Sequence, residues 1–280
     1  MNLGKEEFME FGHLGARRLR VDLSMDIPKR WAGGDAFKTA FFNALSMSFP
    51  VGEQYFIDSL KTGVELLAPE QAQRWAPLVK GFVAQEATHR RVHGLFNDKL
   101  RQQGFSNLIE KIALDRISQN KGRDPKIHVA ATAATEHFTA IFADWLLGNP
   151  WQLDGSPEHV KAMWLWHSAE ESEHRQVAHG LYAQLGGSEK WRVRVFEYVT
   201  WIFFLDVARQ TIANLWTDKA LFHWSTFKSA RKMLWGQGGL IVCAKPLWRM
   251  YLDPKFDPSW LDAGLSEAWL AKNPQWVEAI

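Results

Sequence analysis

The stretch "HSAEESEHR", His167–Arg175, sets two histidines and three glutamates into nine residues, directly after the apolar "MWLW" of 163–166. Glu171 and His174 stand three apart, on one face of a helix. The same Glu-x-x-His spacing recurs in "GFVAQEATHRRVHG" (81–94), as Glu86 and His89. One such pair is common by chance, but two invite a geometric test. A carboxylate-bridged dimetal site in a four-helix bundle takes two Glu-x-x-His helices and two more helices that give one Glu each.

Helical patterning runs from about residue 36 to 185 and is punctuated by "APE" (68–70), "NKGRDP" (120–125) and "GNPWQLDGSP" (148–157). Helices are predicted over 36–67, 70–103, 126–147 and 157–185, with a shorter one at 106–119 and "GGS" (186–188) as the stop. In an antiparallel hairpin, ligands meet at one height only if the turn falls midway between them. Glu53 and Glu86 have their midpoint at 69–70, in the first break. Glu136 and Glu171 have theirs at 153–154, in the third. The 50 residues between Glu86 and Glu136 leave room for the long crossover of a ferritin-like bundle. Glu53, Glu86, His89, Glu136, Glu171 and His174 are therefore the expected metal ligands, with Glu86 and Glu171 bridging. Two divalent ions would neutralise four carboxylates that are otherwise costly to bury. Imidazole with carboxylate suits two iron ions, with manganese or zinc as alternatives.

These residues also carry a family resemblance. "NALSMSFPVGEQYF" (43–56), "FVAQEATHRRVHGLFN" (82–97), "ATEHFTAI" (134–141) and "WLWHSAEESEHRQVAHG" (164–180) resemble the bacterial proteins labelled "predicted metal-dependent hydrolase", a branch of the ferritin-like superfamily. The likeness spans roughly 20–250 and implies an all-α bundle with a dimetal site. In the tail, "DPKFDPSW" has Asp257 where the family pattern has a histidine before the proline, so no tail histidine is expected to act.

His93 lies four residues after His89, and His167 four before Glu171, so both share the ligand faces. The resemblance includes both. Each is open to three roles beyond a packed core histidine: a third nitrogen ligand, a donor behind the ligands, or a proton carrier. His137 is expected to be structural, His179 to lie outside the direct ligands, and Glu170 and Glu173 to face solvent or pair with arginines such as Arg175. The alanines and threonines of "HVAATAATEHFTAIFADW" (128–145) predict close helix packing or a cavity beside the metals, with Thr132 and Thr139 on the ligand face.

The remaining segments divide the chain into an arm (1–37), the bundle (38–188) and a helical extension (189–280). Within the arm, "RLRVDLSMDI" reads as an extended arm or edge strand. In the extension, helices are expected over 189–216 and 219–235, with a looser tail after "GQGG" (236–239). Residues 190–250 hold ten Lys/Arg against three Asp/Glu, and twelve aromatics. That is either packing for the bundle or peripheral contact with a membrane surface. Nothing in it suggests a nucleic-acid fold.

The 280 residues are 46% hydrophobic and 23% charged, with a net charge of +2, which suits a globular protein and not a nucleic-acid binder. One cysteine, Cys243, excludes an internal disulfide framework and fits the cytoplasm. The opening residues lack the apolar run of a signal peptide. The expected reaction is O2-dependent oxidation of a hydrophobic small molecule. A separate electron donor is required, since no flavin or nicotinamide fingerprint occurs. The same ligands would serve a hydrolase that activates water, and His93 and His167 tilt the balance that way. A protein that only oxidises or holds iron is a third class, against which the aromatic extension speaks. The oligomeric state is left open, a homo-oligomer included.

Overall fold

The computed structural model describes residues 14–280; the first thirteen residues of the expected arm lie outside the described residues. The chain is all-α, with two three-residue strands among the described residues. Helix α1 (Ala36–Glu65) starts where the Asp35 side chain accepts from the Lys38 amide. Pro69, with no amide hydrogen to waste, opens α2 (Pro69–Gln102). Asn107 caps α3 (Leu108–Asn120), and Asp124 with Pro125 starts α4 (Pro125–Gly148). A 3₁₀ turn over Pro150–Leu153 leads to α5 (Glu158–His174). The turns expected at 68–70 and inside 148–157 are both present.

Helices α1, α2, α5 and α4 close a ring: α1 packs on α2, α2 on α5, α5 on α4 and α4 on α1. Two apolar clusters fill it. One gathers Phe42, Phe96, Trp145 and Trp164, and the other Leu60, Phe82, Val129 and Leu181. On α1, α2 and α4 the expected ligands fall between residues of one cluster and residues of the other; on α5 they follow the first cluster, and the second resumes at Val177, just beyond the helix. The polar donors thus occupy one level of the bundle, sealed above and below by apolar side chains.

The sequence expectation differs from the structure in three places. The helix expected over 157–185 is two: α5 ends at His174, and α6 runs Val177–Gln184. At the break Arg175 Nη1 donates to the Ser172 carbonyl, an acceptor the next helical turn would use. Helix α7 (Glu189–Thr217) stops, and α8 begins only at Trp224 (Trp224–Trp235). The stop is a Schellman turn: Lys219 sits at φ 56°, its amide bonds Trp216 O, and the Ala220 amide bonds Leu215 O. Finally, the region expected to loosen after 236–239 contains α9 (Leu240–Met250), with Pro246 inside it, packed on α4 and α8.

Helix α7 lies against α1 and α4, and α10 (Gly264–Lys272) against α5 and α4. Strand β1 (Arg17–Leu19) pairs antiparallel with β2 (Val277–Ala279), so the expected extended arm clasps the far end of the chain. No helix among the described residues is long and apolar enough to cross a membrane.

Candidate metal centre

All six expected ligands converge. Glu53 projects from α1, Glu86 and His89 from α2, Glu136 from α4, and Glu171 and His174 from α5; each is at most 3% exposed. Their donor atoms form two groups, each within 4.8 Å: Glu53, His89 and His167, and Glu86, Glu136, Glu171 and His174. Glu171 touches both, with Oε1 3.2 Å from His89 Nδ1, 2.9 Å from His167 Nε2 and 3.8 Å from His174 Nδ1. His167, expected on the ligand face without a fixed role, joins the first group. His93 does not join either.

The donors fit a cation better than they fit one another. His174 Nδ1 lies 2.8 Å from Glu86 Oε1 and 3.5 Å from Glu136 Oε2, and yet it has no aligned hydrogen bond. Both oxygens of Glu53, Glu86 and Glu136, and His89 Nδ1, are likewise buried and unpaired. Short contacts with poor alignment arise when atoms aim at a common point. Neighbouring donors around an ion with bonds of about 2.1 Å stand roughly 3 Å apart, which is the spacing found here.

Behind the donors, each histidine is held by its other nitrogen. His89 Nε2 bonds Glu170 Oε2 at 2.8 Å, and His174 Nε2 bonds Gln85 Oε1 at 2.7 Å. A carboxylate and an amide oxygen only accept, so both rings carry their proton on Nε2 and present Nδ1 to the cluster. His167 is fixed through a longer line. Asn97 Nδ2 donates to Ser46 O, the Ser46 hydroxyl donates to Asn97 Oδ1, and Ser46 Oγ therefore accepts from His93 Nδ1 at 2.8 Å. His93 Nε2 is then an acceptor for His167 Nδ1 at 2.6 Å. That leaves a lone pair on His167 Nε2 facing Glu171 Oε1, two acceptors 2.9 Å apart with no proton between them. A cation at that point satisfies both.

Glu170 and Glu173 take the arginine-paired alternative, though not through Arg175. Glu170 is fully buried against His89. Both glutamates do pair with an arginine, but it is Arg17, at 3.3 Å and 2.9 Å. Glu173 Oε2 also accepts from Gln85 Nε2, so one residue from β1 braces the supports of both histidines. Sequence reasoning missed Gln85 and Glu170 as supports. The available signal was their shared position: each immediately precedes a glutamate of the expected set and stands four before a histidine.

Electrostatics divides the cluster. Burial, reinforced by the other carboxylates, pushes Glu53 well up; burial also raises Glu86, and it raises Glu136 to about 8. Glu171 goes the other way: burial opposes its charge, but His89 and His174, both raised, hold it well below the usual range. Burial disfavours charge on His89, yet Glu170 and Glu171 outweigh it and raise the ring to about 10. His174 is raised by Glu136 and Glu86 against the same burial cost. Burial keeps His93 and His167 neutral, the latter falling to about 4. Left to themselves, the donors thus hold protons where cations would sit.

His137 Nε2 donates to Leu247 O, and His179 packs near Tyr251 and Phe256. Thr132 bonds Ser59, and Thr139 donates to Glu136 O. The small residues of α4 chiefly serve packing: Ala130, Ala133 and Ala134 belong to the second apolar cluster. A cavity of about 410 Å³ lies further along α4, between α4, α5 and α1 on one side and α7, α8 and α9 on the other. Phe49, Phe142, Thr139 and Phe203 line it, and it reaches Glu171 and His167.

No curated protein and no solved structure matches this chain. A family model does, described as "Predicted metal-dependent hydrolase", over residues 15–262. That span takes in α1 to α9, both Glu-x-x-His helices and the cavity walls, so the chain belongs to the predicted metal-dependent hydrolase family.

Proposed function

We propose that α1, α2, α4 and α5 form a ferritin-like bundle that holds two metal ions, and that the protein hydrolyses a lipophilic substrate. The ligands in this reading are the six expected from the sequence plus His167. The observation that carries hydrolysis over oxidation is the third imidazole. His167 turns the first group into two nitrogens and a carboxylate, the donor set of hydrolytic zinc sites as well as of non-haem iron. Bound metal would supply Lewis acidity and a nucleophilic water at neutral pH.

The chain's own residues do the rest. Among the residues that line the cavity, only His167 and Glu171 carry titratable side chains, so a substrate at its deep end meets the donor cluster through them. His93 stands behind His167 as the positioning residue, holding its Nδ1 proton outward. The cavity's aromatic and aliphatic walls accept an apolar chain and exclude water from the deep end. A second reading, O2-dependent oxidation at two iron ions with an external electron donor, draws on the same walls. They offer an ester or phosphate group little to hold, and an alkyl chain a great deal.

One experiment separates the two. The chain is stripped, reloaded with zinc or with iron, and given aryl esters of increasing acyl length. Zinc-loaded protein that cleaves long-chain esters supports hydrolysis. Inert zinc protein, with an iron form that consumes O2 after anaerobic reduction, supports oxidation instead.

A further inference from the structure

The outer face of α7 is the least expected surface of the molecule. Trp191, Tyr198, Trp201, Leu205, Ile212 and Trp216 follow one another at steps of three, four or seven along it, and all are more than 45% exposed. Arg194 and Arg209 fill the two gaps in that stripe and are exposed as well. The stripe runs the length of a 29-residue helix, roughly 40 Å at 1.5 Å per residue. Phe222, Trp224 and Trp235 on and before α8 extend the exposed aromatic surface. Scattered exposed apolar side chains are ordinary, but a contiguous run of this length marks an interaction surface.

Charge says what kind. Of the ten Lys/Arg between 190 and 250, nine are exposed; of the three acids, only Glu197 is. Asp206 is buried against Arg116, and Asp218 pairs with Arg30. The surface is therefore basic and aromatic together. Arg194 lies over the Trp191 ring, and Lys228 over Trp224. Tryptophan and tyrosine interleaved with arginine and lysine suit a bilayer interface, where rings sit among headgroups and cations meet anionic lipid. A second copy of the chain fits less well, since it would bring one basic face onto another.

The cavity supplies an independent observation. Phe204, Ile212 and Phe227 line it and are each more than half exposed. Its mouth therefore opens on this same face, and a protein partner seated there would seal it. A bilayer would not, because lipid tails can enter.

We propose that the outer face of α7 and α8 docks on an anionic membrane surface and that the 410 Å³ cavity opens into the bilayer, from which the substrate enters without crossing water. No helix among the described residues spans a membrane, so the contact is peripheral. Docking does not depend on which reaction the metals perform.

The test is co-sedimentation of the metal-loaded full chain with vesicles of equal phosphatidylcholine and phosphatidylglycerol, and with phosphatidylcholine alone. Binding should be strong with the anionic vesicles at low salt and fall at least fivefold as salt rises. The double variant Arg194→Glu, Arg209→Glu should bind at least about thirtyfold less at low salt, by the loss of two basic contacts. Trp201→Ser with Trp216→Ser should release the protein at lower salt. Unchanged metal content and helicity in both variants keep a folding defect from passing as support. The proposal is overturned if the wild type stays in solution at low salt, or if the variants bind as well as it does. It is also overturned if sedimentation velocity shows a dimer that the tryptophan variants abolish while vesicle binding is absent, which would assign the face to a second copy.

Discussion

Gln85 and Glu170 occupy equivalent places on two different helices, each holding the histidine of the other. Gln85 on α2 fixes His174 of α5, and Glu170 on α5 fixes His89 of α2, at 2.7 Å and 2.8 Å. The exchange works because the two Glu-x-x-His helices pass each other antiparallel, so a residue four before one histidine lies level with the other. Losing such a support lowers metal affinity without removing a ligand. Glu170→Leu and Gln85→Leu should each weaken metal binding by about 10- to 100-fold. At saturating metal both should still hold two ions per chain, as measured by equilibrium dialysis with elemental analysis. A full loss of one ion in either variant would mean that the residue is itself a ligand.

His167 and His93 should separate in the same measurement. Glu86→Ala and Glu171→Ala should lose most of the metal, since Glu171 touches both groups. His167→Ala should cost one of two ions. His93→Ala should retain both but weaken the first, because it removes the acceptor for His167 Nδ1. If His167→Ala keeps both ions at wild-type affinity yet loses activity, the ring is a proton acceptor and not a ligand.

The convergence of the six donors was legible because it rests on local spacing and on turn chemistry. Pro69 and the "GNPWQLDGSP" loop fix where each hairpin folds, and that fixes which glutamates stand level. Arg17 was not legible. It reaches Glu170 and Glu173 across more than 150 residues because β1 is held by the other end of the chain, and no pattern in the sequence connects them. The cavity was also hidden. The alanines of α4 suggested it, but its far walls come from α7 to α9, whose packing on the bundle depends on tertiary fit. Even α7's end gave no warning, for the residue in the left-handed turn is a lysine and not a glycine.

That lysine makes a stability prediction. Lys219 at φ 56° carries a strain that glycine lacks, about 1–2 kcal/mol, offset in part by the roughly 0.5–1 kcal/mol that glycine loses in backbone entropy. Lys219→Gly should therefore stabilise the fold by about 0.5–1 kcal/mol, read as a rightward shift in a urea melt with an unchanged slope. The Schellman bonds from residues 219 and 220 need no side chain, so metal content should not change.

The protons that the donor cluster holds should make the chelator-stripped protein less stable as pH rises. Glu136 is raised to about 8 from an ordinary 4.5, and His89 to about 10 from 6.5. Each keeps its proton in the folded chain over a range where the unfolded chain has lost it, so stability falls with pH through that range. The neutral histidines oppose this only in acid: His167 and His179 at about 4 and His137 at about 3 favour folding as pH rises toward 6.5, and contribute no slope above it. Between pH 6.5 and 8 the slope of the stripped protein should therefore be negative, as followed by thermal melts. Glu136→Gln removes a charge that is costly to bury, so at pH 8 the stripped variant should melt higher than the stripped wild type. Metal should reverse the order. It displaces these protons, so loading should release more than one proton per chain near pH 7, measured by calorimetry in buffers of different ionisation enthalpy. It should raise the melting temperature of the wild type far more than that of Glu136→Gln. Equal gains in both proteins would remove Glu136 from the ligand set.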